Sequence, residues 1–339
     1  MSATTALRRR AGAGRTPGRG AAILLAMVIL TLVATVAAGM VWAQERAVRV
    51  EAAERTRAQA AWMLEGALDW ARLILREDLR ADRERRHGTP PRPPVDGLGE
   101  TWASPLAEAR LSSFLAADRE HSADSSPEVF LSGAITDAQA RWNLRNLVGA
   151  DGRIDATQLA ALRRLVDAAG APPDTAERLA GALQAAWAPA SDEARRTAPL
   201  APQRYADLAW LGIDAPTLAR LEPLLTLLPV ATPVNVNTAD AQVLVAAIDG
   251  LDLGSAERIV QARRRKSLGA LDSLDEIKSL LPPALALRPE RVAVSTRWFE
   301  IRGRLRIDDR VLEERSLVER TDNDVIVRRR ERLQVLDTG

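Results

Sequence analysis

GRGAAILLAMVILTLVATVAAGMVWAQER, residues Gly18–Arg46, is the stretch on which the architecture of this chain turns. No charged residue occurs from Ala21 to Gln44. As a helix this run of about 24 residues rises roughly 36 Å, enough to cross a bilayer. A cleavable secretory signal has an apolar core of only about 7 to 15 residues, so the run reads as a retained anchor, although Val36-Ala37-Ala38 leaves room for a late cut. The flank before it carries Arg8, Arg9, Arg10, Arg15 and Arg19 and no acid, whereas Glu45, Glu51 and Glu54 mix with arginines after it. The excess of positive charge on the leading side keeps the N-terminus in the cytoplasm and sends the remainder across the membrane.

The helical pattern continues past the apolar run. From Glu45 to Arg86 there is no proline and one glycine, Gly66, and apolar residues recur at Met63, Leu64, Ala67, Leu68, Ala71, Ile74, Leu75 and Leu79. That spacing predicts an amphipathic helix. One helix from about Ala21 to about Arg86 is expected, since nothing between its halves breaks it. The alternative is a membrane helix followed by a separate surface helix. The proline-rich stretch His87–Pro94 ends it, because proline lacks the backbone donor and restricts the residue before it.

Composition narrows the function. The 47 Lys and Arg residues are nearly balanced by 45 Asp and Glu, a net charge of +2, which argues against a nucleic-acid-binding face. There is no cysteine, so neither disulfides nor thiolate chemistry are available, and His87 and His121 stand alone. No HExxH, GxSxG or P-loop appears, and an enzyme is not expected.

Beyond the prolines a short helix is expected near Ser104–Asp118, then one or two strands within VFLSGAITDAQARWNLRNL, Val129–Leu147. From about Asp155 to Leu287 frequent prolines space short helices into a helical module. In WFEIRGRLRI, Phe299, Ile301, Leu305 and Ile307 alternate with Glu300, Arg302, Arg304 and Arg306, the period of a strand with one apolar face. Asp308-Asp309 makes a turn, Val311–Arg320 a second strand, Thr321-Asp322-Asn323-Asp324 another turn, and Val325–Val335 a third strand. The expected class is α+β: a long N-terminal helix packed on a small antiparallel sheet, with a large all-helical insertion. The divisions are a leader at 1–20, membrane and amphipathic halves of the helix at 21–44 and 45–86, first strands within 87–150, the insertion at 151–290 and closing strands at 291–339.

Arg19-Gly20 directly before an apolar helix resembles the leader of type IV pilins and pseudopilins. The conjunction with ITDAQARWNLRNL (Asp137, Ala138, Gln139, Asn143, Leu144) and VNVNTADAQVLVAAI (Val234–Ile248) is similar to the type II secretion system protein K family, the largest minor pseudopilins. The resemblance covers the chain from about Arg19. It implies a pilin-like fold, cleavage by a prepilin peptidase between Gly20 and Ala21, N-methylation of Ala21, and an inner-membrane anchor with the bulk in the periplasm. It further implies minor pseudopilins I and J and other pseudopilins as partners, at the tip of a periplasmic pseudopilus that supports export of folded proteins. Most pilins carry glutamate as the fifth mature residue; here it is Leu25. An ionisable group inside a membrane persists only where a partner exists, and a tip subunit has no predecessor to supply one.

Val234–Ile277 also looks like a helix-hairpin-helix, which gives the alternative of a membrane-tethered DNA-binding receptor. In that reading Thr238 caps the first helix, Asp249–Gly254 forms the hairpin, and Ser255 begins a helix ending near Arg263–Lys266. Asp249 and Asp252 would repel phosphate there, and the basic cluster reads as a solvated helix end. Some members of the resembled family bind calcium. Asp137, Asn143 and Asn146, or Asp322, Asn323 and Asp324, offer hard oxygens, although capping explains the first group and turn chemistry the second. Asp69, Asp137 and Asp155 read as caps and solvated charges. Trp62, Trp70, Trp142 and Trp298 read as core or subunit contacts.

Overall fold

The computed structural model describes residues 19–88, 91, 93–111, 128–188, 191–265, 268, 277, 281, 285, 287–307 and 310–336. Asp308-Asp309, His121 and Lys266 lie outside the described residues. The chain divides into two compact units, Met1–Ala61 and Trp62–Gly339.

Helix α1, Arg19–His87, is 69 residues long and unbroken, as its lack of proline requires. From Ala21 to Val50 its apolar residues are exposed, and mean hydropathy reaches 2.7 in a window with 0% buried. The hydroxyls of Thr31 and Thr35 donate to the carbonyls of Val28 and Thr31, so they need no other partner. From Glu45 onward the surface is laced by Arg49–Glu45, Arg55–Glu51 and Arg57–Glu54 pairs one turn apart.

In the second unit α1 lies on a five-stranded antiparallel sheet of order β1-β2-β7-β8-β9. The strands are β1 (Leu106–Arg110), β2 (Val129–Asp137), β7 (Trp298–Ile307), β8 (Arg310–Arg320) and β9 (Val325–Leu336). Leu64, Leu68, Ala71 and Leu75, spaced by four, three and four, are buried on one face of α1. Leu68, Ala71 and Leu75 enter a cluster with Trp102, Ile135, Phe299, Ile301, Val318 and Val325. As the alternation required, Phe299, Ile301, Leu305 and Ile307 are all buried. Gly133 and Gly303 face each other across β2 and β7. A Cβ on Gly303 would stand 3.3 Å from Leu64 Cδ2, so the helix passes close over β7 where there is no side chain, and one on Gly133 would stand 2.9 Å from the Arg302 carbonyl oxygen of the paired strand.

The helix expected from Ser104 is not formed over 106–110; β1 takes those residues and pairs with β2, Leu106 opposite Gly133 and Arg110 opposite Phe130. Leu, Ala and Glu favour helix locally, and the available sheet edge overrides that preference. The rest of the expected helix, 112–118, lies outside the described residues.

Between β2 and β7 the chain leaves the sheet and builds the helical insertion around a separate core. Its first half opens at β3 (Trp142–Asn143) and contains α2 (Ala156–Ala168), α3 (Thr175–Trp187), α4 (Asp192–Thr197) and α5 (Ala215–Leu221). It closes where β4 (Leu225–Thr226) pairs parallel to β3. The second half opens at β5 (Val234–Asn235), contains α6 (Ala241–Ala247) and α7 (Leu253–Arg265), and closes where β6 (Val292–Ala293) pairs parallel to β5. Each half is thus a set of short helices tied at its neck by a two-residue parallel ladder. Asp155, expected as a cap, accepts from the amides of Thr157 and Gln158 at the start of α2.

Candidate assembly surface

The part of α1 that rests on the sheet also presents a second apolar face. Trp62, Trp70 and Leu73 are 77%, 56% and 44% exposed. Beside them runs a groove of about 570 Å³ between Met63, Ala67 and Ile74 of α1 and Leu106, Ala109 and Leu131 of the sheet. A soluble domain gains nothing by holding two tryptophans in water, and clustered exposed apolar residues mark contact sites. Trp142 and Trp298, by contrast, are core residues, 1% and 3% exposed.

The face is held in register by polar pins from α1 to the last hairpin. Arg72 donates to the Val325 carbonyl at 3.0 Å, Arg76 pairs with Asp324 at 2.7 Å, Arg83 reaches Asn323 Oδ1 at 3.1 Å, and Glu65 receives Arg330 at 2.7 Å. Arg330 draws the Glu65 carboxyl below the usual glutamate range. At the far end Arg320 of β8 meets Asp78 and Asp82 of α1 together with Asp96. Sequence reading missed this group, because Arg320 lies 224 residues from Asp96 and 242 from Asp78 and none of the members belongs to a motif.

The two motif blocks form a joint between sheet and insertion. Asp137 is buried; its Oδ2 accepts from Asn235 Nδ2 at 2.8 Å and Thr238 Oγ1 at 2.6 Å, and its Oδ1 from the Gln139 amide at 2.7 Å. Burial pushes its carboxyl up to about 6, against the hydrogen bonds from Thr238, Thr296 and Asn235. Gln139 donates to the Pro233 carbonyl at 3.0 Å and accepts from the Arg297 amide at 2.8 Å. Asn143 donates to the Val230 carbonyl at 2.7 Å and accepts from the Leu228 amide at 3.1 Å, while Asn146 and Thr232 exchange two bonds. Asp137 is therefore a buried hub as well as the cap of a short 3-10 turn, and not a solvated charge.

Most of the oxygens named for calcium are already engaged by protein donors. Both oxygens of Asp137 and the Oδ1 of Asn143 and Asn146 already accept protein donors. In the second group Asn323 and Asp324 accept from Arg83 and Arg76, two positive charges that oppose a metal there.

The hairpin also departs from the DNA-binding reading. Thr238 binds Asp137 instead of capping α6, whose preceding residue is Asp240. Asp252 caps α7, accepting from the Ser255 amide at 2.9 Å and its hydroxyl at 2.6 Å, so the helix N-terminus already holds an anion. Asp249 is bound by Arg164 and Arg291; burial raises its carboxyl, but the two guanidinium groups outweigh that and leave it below the usual range. Arg263 is not solvated: it is 9% exposed and donates to the carbonyls of Val236 and Ala239.

Residues 140–230 and 234–295 match two family descriptions of type II secretion system (T2SS), protein K. These spans coincide with the two halves of the insertion. The chain belongs to the type II secretion system protein K family. Relatives bearing that name occur in Pseudomonas aeruginosa, 29% identical over 86% of this chain and 85% of the relative, and in Pectobacterium carotovorum subsp. carotovorum, 27% identical over 94% and 97%. The fold matches the crystal structure of the GspK-GspI-GspJ complex from the enterotoxigenic Escherichia coli type 2 secretion system. That match has a TM-score of 0.52 at 18% identity and covers 83% of this chain and 100% of the other. A protein K chain is a minor pseudopilin, a component of protein secretion, and the long helix, antiparallel sheet and helical insertion are its pilin-like architecture. The N-terminal apolar helix suits a single-pass anchor. Arg19 and Gly20 are the first two residues of α1 and Ala21 follows, with Leu25 exposed one turn later among aliphatic neighbours.

Proposed function

We propose that this minor pseudopilin stands at the tip of a periplasmic pseudopilus and supports its initiation, bound beside the minor pseudopilins I and J. In this reading prepilin peptidase removes residues 1–20, Ala21 becomes the modified N-terminus, and the apolar run stays in the inner membrane with its start in the cytoplasm. The bulk of the chain is periplasmic, and its role is structural.

The observation that carries the reading is the exposed Trp62-Trp70-Leu73 face on the same helix as the anchor. Helices that share an apolar seam bury it on one another. Leu25 supports a subunit that needs no acidic group to meet a preceding amine. The solved GspK-GspI-GspJ complex supports partners of type I and J.

Because the chain has no cysteine, single cysteines report contacts without background. A Trp70→Cys chain, expressed with its secretion system, should form a bifunctional-maleimide adduct with another minor pseudopilin, while Glu222→Cys on the insertion should not. Equal labelling of both sites, or adducts with neither I nor J, would refute the assignment.

A further inference from the structure

Arg320 gathers several carboxylates around it. Asp78 and Asp82 stand one turn apart on α1; Asp96 and Glu100 come from the segment after the prolines; Arg320 ends β8. Arg320 Nη2 lies 2.6 Å from both oxygens of Asp96 and 2.9 Å from the Thr296 carbonyl, and its Nη1 contacts Asp78 and lies 3.6 Å from Asp82 Oδ2. Oxygens of Asp78, Asp96 and Glu100 fall within 4.8 Å of one another. Apart from Arg320, the cation that faces these carboxylates closely is Arg85, 3.3 Å from Asp82 Oδ1 and 4.0 Å from Glu100 Oε1; Arg86 acts on Asp82 from further off. Among the described residues, four carboxylates thus face two guanidinium groups, on a patch where Asp82 is 3% and Asp96 0% exposed. Asp82 Oδ1 has no hydrogen-bond donor, whereas Asp96 is satisfied by Arg320 and the Thr296 amide, and Glu100 Oε2 by Trp102 and the Gly97 amide.

We propose that the carboxylates around Arg320 share a proton, and that this proton latches α1 to the sheet, so that the joint tightens in a mildly acidic medium and slackens in an alkaline one. Closely spaced carboxyls cannot all ionise without mutual repulsion, and a proton on Asp78, whose oxygen lies within 4.8 Å of those of Asp96 and Glu100, relieves it. The guanidinium of Arg320, stacked 5.1 Å over the Phe299 ring, already fills the centre with fixed positive charge.

The electrostatics agree. Burial, with Asp82, Asp96 and Glu100 adding to it and Arg320 opposing, raises Asp78 to about 7, and burial raises Asp82 and Glu100 as well. A carboxyl with a raised folded value holds a proton that the unfolded chain releases near pH 4. Its contribution is therefore complete at low pH and is lost as pH rises through about 7. One group titrating near 7 changes the folding equilibrium about tenfold between about pH 6 and about pH 8.

The full chain in detergent, unfolded by urea at a series of pH values, tests this. Wild type should lose about tenfold in folding equilibrium over that interval, and Asp78→Asn, which cannot ionise, should lose much less and be the more stable of the two at the alkaline end. Parallel curves for the two chains would overturn the latch. Should Asp78→Asn not fold, infrared difference spectra of wild type decide: a carboxylic-acid C=O band at about pH 6 that vanishes at about pH 8 supports it, and no such band overturns it. Stabilisation of wild type by millimolar calcium at the alkaline end, absent in Asp78→Asn, would also overturn it, since a metal would then be balancing the charge.

Discussion

Replacing Leu75 by alanine tests the division of α1 into a packed and a free face. Leu75 is 0% exposed and belongs to the cluster of Leu68, Trp102, Phe299 and Val318. Its neighbours cannot easily close the gap, because Trp102 and Phe299 are locked edge to face, 5.1 Å between centroids at 76°. Leucine-to-alanine changes in such sites cost roughly 3 to 5 kcal/mol, and limited collapse favours a value of about 4. Leu73, two residues away and 44% exposed, is the control: its replacement should change stability by about 0.5 kcal/mol or less. Urea unfolding of the full chain in detergent, followed by near-ultraviolet circular dichroism, measures both. A Leu75→Ala chain within about 1 kcal/mol of wild type, or a Leu73→Ala chain as unstable as Leu75→Ala, would refute the assignment of faces.

Asp137→Ala removes the acceptor of Asn235 Nδ2, Thr238 Oγ1 and the Gln139 amide at once. With about 1 to 3 kcal/mol for each buried group left unpaired, a loss above about 3 kcal/mol is expected in the same unfolding assay, against less than about 0.5 for Asp322→Ala in the exposed turn. Gly20→Trp should leave the precursor uncut in a strain carrying prepilin peptidase, and a mature mass beginning at Ala21 despite the change would contradict the processing site.

Features set by neighbours in sequence were legible without coordinates. The unbroken α1 follows from the absence of proline and the three-and-four spacing of Leu64, Leu68, Ala71 and Leu75, and β7 from strict alternation, since each period depends on local backbone geometry alone. The halves of the insertion could be read as short helices for the same reason, but not the parallel ladders at their necks, β3 with β4 and β5 with β6, which join residues far apart in the chain.

The helix expected near Ser104 failed over 106–110 because an open sheet edge outweighs the modest helix preference of Leu, Ala and Glu. Asp137 passed for a cap because its real partners, Asn235 and Thr238, come from a block about a hundred residues later, and Arg263 passed for a solvated end because the carbonyls it serves belong to the turn before α6.

The sequence by itself determined the long apolar helix, the closing strands and the family-like blocks, through periodicities that act over a few residues. Only the tertiary structure decided which carboxylates are buried, which arginines face them, and which face of α1 remains open, because desolvation and charge pairing depend on what the folded chain brings together across hundreds of residues.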